Sequence, residues 1–141
     1  GCVNCHRLGS EGGSLGPDLV EVVERLAKEP EPRLRLLEEI IHPSRNITDR
    51  YRTIIISTFD GRQVSGVVLE NGGEGYRLAN NPQLPGESIF IKRDDIEQIE
   101  QTDVSLMPVG LLSTFTLEDI MDLVAYLEAS GREDHPAYKK E

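Results

Sequence analysis

Cys2, Cys5 and His6 stand together in the run Cys-Val-Asn-Cys-His. Two thiols separated by two residues and followed directly by an imidazole match the attachment spacing of a c-type haem. Each thiol can add across a porphyrin vinyl group, and the next residue is carried under the ring, where its imidazole reaches the iron. Three other readings compete for the same residues. A redox-active Cys-x-x-Cys belongs between a strand and a helix of a βαβ unit, and no such pattern surrounds this one. A zinc site needs a further Cys or His pair, but the remaining histidines, His42 and His135, do not lie at paired spacing. The third is chance recurrence of a short motif.

Any group held there must be positioned by the segments that follow. Gly9 to Gly16 is too rich in glycine for a helix or strand and reads as a loop able to follow a flat ligand closely. Pro17 and Asp18 open a short amphipathic helix with Leu19, Val22, Val23 and Leu26 at helical spacing, and it stops near Glu29-Pro30-Glu31-Pro32. A second helix places Leu34, Leu37 and Ile41 on one face and ends before Pro43. From Tyr51 to Thr58 the chain turns strand-like, and Asp60-Gly61 marks a hairpin. Gln63 to Leu69, Gly75 to Ala79, Ile89 to Ile91 and Ile96 to Ile99 are the further strands, with Ile54, Ile56, Val64, Val68, Phe90 and Ile96 expected to form the buried face. Ser105 to Gly110 is an irregular loop. Thr116 then caps a last helix with Glu118 and Asp119 in its first turn and Ile120, Leu123, Val124 and Leu127 as its stripe. The segment 132–141 is a polar tail.

A chain of 141 residues is expected to hold one core, or two small cores sharing an interface. Its formal net charge of −10 and scattered basic residues exclude the clustered Lys and Arg that phosphate binding requires, so no nucleic acid is expected. A basic patch on a redox partner protein suits the charge better. No run approaches the roughly 18–20 consecutive apolar residues of a membrane span. The start shows neither a positive region nor an apolar stretch, so a secretory signal is read as removed, or the chain as an excised piece. The carboxylates from Glu21 to Glu39 alternate with basic residues and read as a solvated helix face.

Gly16-Pro17-Asp18-Leu19 after the histidine, and Met107-Pro108 ahead of a final amphipathic helix, resemble the organisation of class I cytochromes c. His42-Pro43-Ser44-Arg45-Asn46-Ile47, Tyr51, Asp60-Gly61, Asp94-Asp95-Ile96 and Ser105 to Leu112 narrow the resemblance. They are similar to the haem-binding cytochrome c domain at the C-terminal end of large planctomycete and verrucomicrobial proteins, and the match covers almost the whole chain. The resemblance implies an α+β fold, a mostly helical class I cytochrome c core interrupted by a small five-stranded antiparallel β sheet or barrel. Residues 1–48 would form the haem-attachment half, 49–103 the inserted β domain, and 104–131 the methionine loop and last helix. It further implies that the Pro17 carbonyl accepts a hydrogen bond from His6 and that Met107 completes the iron's coordination. General chemistry favours both: an acceptor behind a histidine fixes its tautomer and raises its basicity, and a thioether favours ferrous iron. Class I cytochromes carry a helix before the motif that packs across the last helix. Here the motif begins at the second residue, so the chain's start is not expected to be the domain's true start. Part of the Leu123, Tyr126 and Leu127 surface is then expected to be covered by another segment, by the β insert or by a neighbouring chain.

One covalent haem c is the expected cofactor, in an apolar pocket lined by residues such as Leu15, Leu19, Ile47, Leu106 and Leu112. Tyr51, Arg45, Arg50 and Arg52 are candidates for its propionates, since guanidinium groups match carboxylates. Met121 is assigned to packing in the last helix, His42 ranks below Met107 as an axial ligand, and His135 is a solvated tail residue. The expected function is single-electron transfer in the periplasm or another extracytoplasmic space, with electrons taken from a fused or partner dehydrogenase. No residue is assigned to catalysis, and the resemblance leaves room for an oligomer. A haem enzyme or gas sensor with displaceable Met107 is the alternative, and a non-haem interaction module using the β insert, its cysteines on zinc or in a disulfide, is the second.

Overall fold

The Asp18 side chain accepts the Val20 N–H at 2.9 Å and opens helix α1 (Leu19–Leu26). The computed structural model describes residues 1–138 of the chain. It divides them into two compact units, one built from Gly1–Arg45 and the chain from Val109 on, the other from Asn46–Pro108.

In the first unit a short hairpin, β1 (Arg7–Leu8) against β2 (Glu11–Gly12), precedes α1, α2 (Pro32–Ile41) and α3 (Leu117–Glu128). Leu26, Leu36, Val124 and Leu127 form the core, with Leu19, Val22, Val23, Leu37, Ile40 and Leu123 packed against it. The buried stripe of α2 is therefore Leu36, Leu37 and Ile40. Leu34 and Ile41 are about half exposed, although spacing had favoured them: five apolar residues in this helix form two overlapping stripes, and only the neighbouring helices select one. The Leu127 surface is covered by α1 and α2 of the same unit, whereas Tyr126 is exposed. The tail is not a loose polar end. Pro136–Tyr138 forms a turn packed against α3, and the His135 ring accepts the Ala137 N–H at 3.2 Å; residues 139–141 of the expected tail lie outside the described residues.

Helix α3 starts in a capping box. The Thr116 hydroxyl accepts the Asp119 N–H at 3.2 Å, and the Asp119 carboxylate accepts the Thr116 N–H at 2.8 Å. The same Thr116 hydroxyl donates to the carboxylate, and these bonds hold Asp119 below the usual carboxylate pKa. Because the folded state binds this proton more weakly than the unfolded chain, the contribution is present above the ordinary carboxylate range and is lost as pH falls through the depressed value. Asp119→Asn should accordingly lower the melting temperature at about pH 7, and the gap to wild type should close towards about pH 3. Thermal scans across that range check it.

The second unit is an antiparallel sheet of β3 (Thr53–Thr58), β4 (Gln63–Gly72), β5 (Gly75–Ala79), β6 (Ile89–Lys92) and β7 (Ile96–Gln101), in the order β6-β5-β4-β3-β7. It is an open sheet with β6 and β7 as its edges. At the β3–β4 turn the Thr58 hydroxyl and the Arg62 guanidinium both donate to Asp60, which lowers the pKa of that carboxyl. Ile54, Ile56, Leu78 and Ile91 form the core of this unit, flanked by Val64, Val68, Tyr76, Ile89 and Ile96. Phe90 is not part of it. The register pairs Tyr76 with Ile91 and Arg77 with Phe90, so Phe90 faces outward, 42% exposed, with the Arg77 guanidinium 5.4 Å from its ring centre. Ile-Phe-Ile is apolar on both faces of a strand, and alternation alone could not orient it.

The expectation of a mostly helical class I cytochrome c core is overturned. With 3-10 turns and the short β1–β2 hairpin included, helix accounts for 30% and strand for 25% of the chain; the main elements of the described residues are three α-helices and one five-stranded antiparallel sheet. The physical reason is that the sheet carries its own buried cluster, separate from the helical one. Among the described residues no helix is long and apolar enough to cross a membrane.

Candidate functional site

Cys2–Asn4 forms a single 3-10 turn, and the N–H groups of Cys5 and His6 both donate to the Cys2 carbonyl, at 3.1 and 2.9 Å. This tight turn presents Cys2 to solvent and leaves Cys5 and His6 half-buried. No disulfide joins the two cysteines. Burial, and then the neighbouring Cys2, push the Cys5 thiol above its ordinary pKa. An attacking redox dithiol needs the reverse, a thiol made acidic by positive charge or a helix N-terminus.

The glycine-rich segment wraps the motif itself, a role the sequence did not disclose. Its first part is strand, since Glu11 and Gly12 pair with Leu8 and Arg7 and turn the chain back. Gly13 then donates its N–H to the Val3 carbonyl and Gly16 its N–H to the Cys5 carbonyl, both at 2.9 Å. A Cβ on Gly13 would lie 3.0 Å from the Asn4 carbonyl carbon and closer still to its oxygen. One on Gly16 would lie 2.7 Å from His6 Nδ1, 2.9 Å from Nε2 and closer still to Cε1. Only glycine permits the backbone to lie this close to the imidazole.

His6 Nδ1 lies 2.7 Å from the Pro17 carbonyl oxygen. A carbonyl can only accept, so Nδ1 carries a proton, and Nε2 is the nitrogen left to present a lone pair in the neutral ring. Pro17 is in turn fixed by Asp18, the cap of α1. A histidine held in this way is oriented and made more basic as a metal ligand at Nε2.

Of the other candidates, Leu15 is buried and Leu19 packs in the helical core, both in the same unit as Cys2, Cys5, His6 and Pro17. Half-buried Leu112 belongs to that unit too. Ile47, Tyr51, Leu106 and Met107 are half-buried and belong to the sheet unit. The Met107 N–H donates to Ser105 Oγ at 3.1 Å. Met121 is 46% exposed on α3, not packed in the core, because its helix turns Val124 and Leu127 inward instead. His42 is exposed at the C-terminal cap of α2. The arginines meant for propionates have partners in this chain. Arg45 pairs with Glu38 at 3.7 Å, the Arg50 guanidinium stands 5.5 Å from the Tyr51 ring centre, and Arg52 pairs with Asp103 at 2.8 Å. Among the described residues no three His, Cys, Asp or Glu side chains converge into a metal cage. A haem asks for none, since the porphyrin itself holds the iron.

No protein-family model matches the chain, and no curated protein matches it.

Proposed function

We propose that this chain is a mono-haem c-type electron-transfer module, with the haem attached through Cys2 and Cys5 and its iron bound by His6 and Met107. The observation that carries the reading is the His6 Nδ1 to Pro17 carbonyl hydrogen bond of 2.7 Å, directly beside two cysteines at attachment spacing that no disulfide joins. When bound, the haem supplies a one-electron ferric/ferrous couple. The chain's own residues do the rest. Cys2 and Cys5 tether the ring through thioethers. Pro17 keeps the proton on Nδ1, so Nε2 stays free to ligate and no proton has to move with the electron. Gly16 leaves the imidazole room to lie flat against the backbone.

Met107 is proposed as the second ligand because it sits half-buried in a loop ordered by Ser105 Oγ. A thioether there favours the ferrous state and raises the potential. The donor is a redox partner protein or fused dehydrogenase domain, and a chain of charge −10 is met best by a partner with a basic docking face. Thioether attachment places the module outside the cytoplasm.

An absorption spectrum of protein matured in a cytochrome-competent host is the test. A reduced c-type spectrum, a near-infrared methionine-to-ferric band and indifference to carbon monoxide are the expected results. Haem that binds carbon monoxide moves the assignment to an enzyme or sensor, and protein without a Soret band ends it.

A further inference from the structure

The chain enters the sheet unit at Asn46 and leaves it at Pro108, and both ends emerge at the same place. β3 begins where β7 ends, pairing Ile54 with Gln101, and the ladder runs one step further through the Thr102 N–H, which donates to the Thr53 carbonyl at 2.9 Å. Beyond that bond the side chain of Arg52 continues the connection. Its guanidinium reaches the Asp103 carboxylate at 2.8 Å on the outgoing segment. On the incoming segment it reaches the Asp49 carboxylate at 3.5 Å and the Ile47 carbonyl at 3.4 Å. Past Asp103 the outgoing chain is shaped by short local bonds. The Val104 N–H donates to Thr102 Oγ1 at 3.2 Å, and the Met107 N–H to Ser105 Oγ at 3.1 Å.

We propose that Arg52 is a positioning residue for Met107, a clamp across the neck of the sheet unit that sets where the outgoing loop presents its thioether. The inference rests on the reading of Met107 as an iron ligand. Asp103 and Asp49 are almost wholly exposed, at 98% and 92%, whereas the Arg52 side chain is 23% exposed. Ion pairs to carboxylates so open to water add little to global stability. What the network supplies is geometry: a planar fork with several donors holds two segments in a fixed relation, and the single point charge of a lysine does not. The guanidinium is engaged by this chain's own acceptors.

Arg52→Gln and Arg52→Lys in the full haem-loaded chain test the clamp, read by the near-infrared methionine band, carbon monoxide binding to the ferrous form, amide hydrogen exchange across 102–107 and thermal unfolding. R52Q is expected to lose most of the band, to bind carbon monoxide and to exchange faster across 102–107, with little change in melting temperature. R52K should recover only part of the band. A merely structural arginine would lower the melting temperature and leave the ligand signals alone. If wild type shows the band and R52Q keeps it in full while staying inert to carbon monoxide, the clamp is wrong and Met107 ligation stands. If wild type itself lacks the band, Met107 ligation fails and the clamp with it. Should R52Q not fold, Asp103→Asn removes only the outgoing anchor, on an exposed side chain, and carries the same outcomes.

Discussion

Gly16→Ala should loosen the grip on the His6 ring, because the added methyl group would land on the imidazole. The new Cβ would stand 2.7 Å from Nδ1 and 2.9 Å from Nε2, inside any permitted contact, and the ring cannot yield without leaving the Pro17 carbonyl 2.7 Å behind Nδ1. Two costs then add: the overpacking itself, about 1–3 kcal/mol, and the loss of the acceptor that orients the imidazole, which in metal sites weakens binding about 10–100-fold. On the proposed haem reading, denaturant titration of the ferric holoprotein, followed at the Soret band, reports how firmly the folded chain holds its haem coordination. The Gly16→Ala midpoint should fall well below wild type. Gly86→Ala is the control, since nothing lies within 4 Å of its Cβ position, and its midpoint should not move. Equal midpoints for wild type and Gly16→Ala would mean that the glycine is not what seats the ring.

The legible parts of this protein are those whose cause is local. Thr116 and Asp119 stand three residues apart, and the cap they form follows from that spacing. The hairpin at Asp60-Gly61 is likewise carried by its own turn residues, with Asp60 accepting from both neighbours across the turn. Cys2, Cys5 and His6 fall within five consecutive residues, so the tight turn that brings them together is local as well. Features that need a partner distant in the chain were misread or missed. Which α2 stripe is buried depends on α3, and Leu36 rather than Leu34 was chosen by packing against Val124 and Leu127. Gly16 read only as part of a loop able to follow a flat ligand, because its close contact is with an imidazole ten residues earlier. The pairing of Arg52 with Asp103 was missed because the two lie 51 residues apart in the chain. The weight of the sheet was misjudged for a related reason. Resemblance to a helical family made the strands an insertion, but a sheet that buries Ile56 and Leu78 completely has a core of its own.

Met107→Ala should leave the haem attached, since the thioethers use Cys2 and Cys5, and should change everything that depends on the sixth ligand. The near-infrared methionine band should vanish, carbon monoxide should bind the ferrous form, and the potential should fall. Axial ligands set haem potentials over roughly 0.8 V, so the drop should be on the order of a few tenths of a volt, which redox titration resolves. Met121→Ala is the informative companion. It is the other methionine of the chain, it is 46% exposed, and its thioether lies on a helix whose buried stripe does not include it. If Met107 is the ligand, Met121→Ala keeps the band and the potential. If Met121→Ala abolishes the band instead, the sixth ligand is Met121 on α3 and not Met107. A band that survives both substitutions removes methionine from the iron altogether. The pair of variants therefore decides which methionine, if either, ligates the iron.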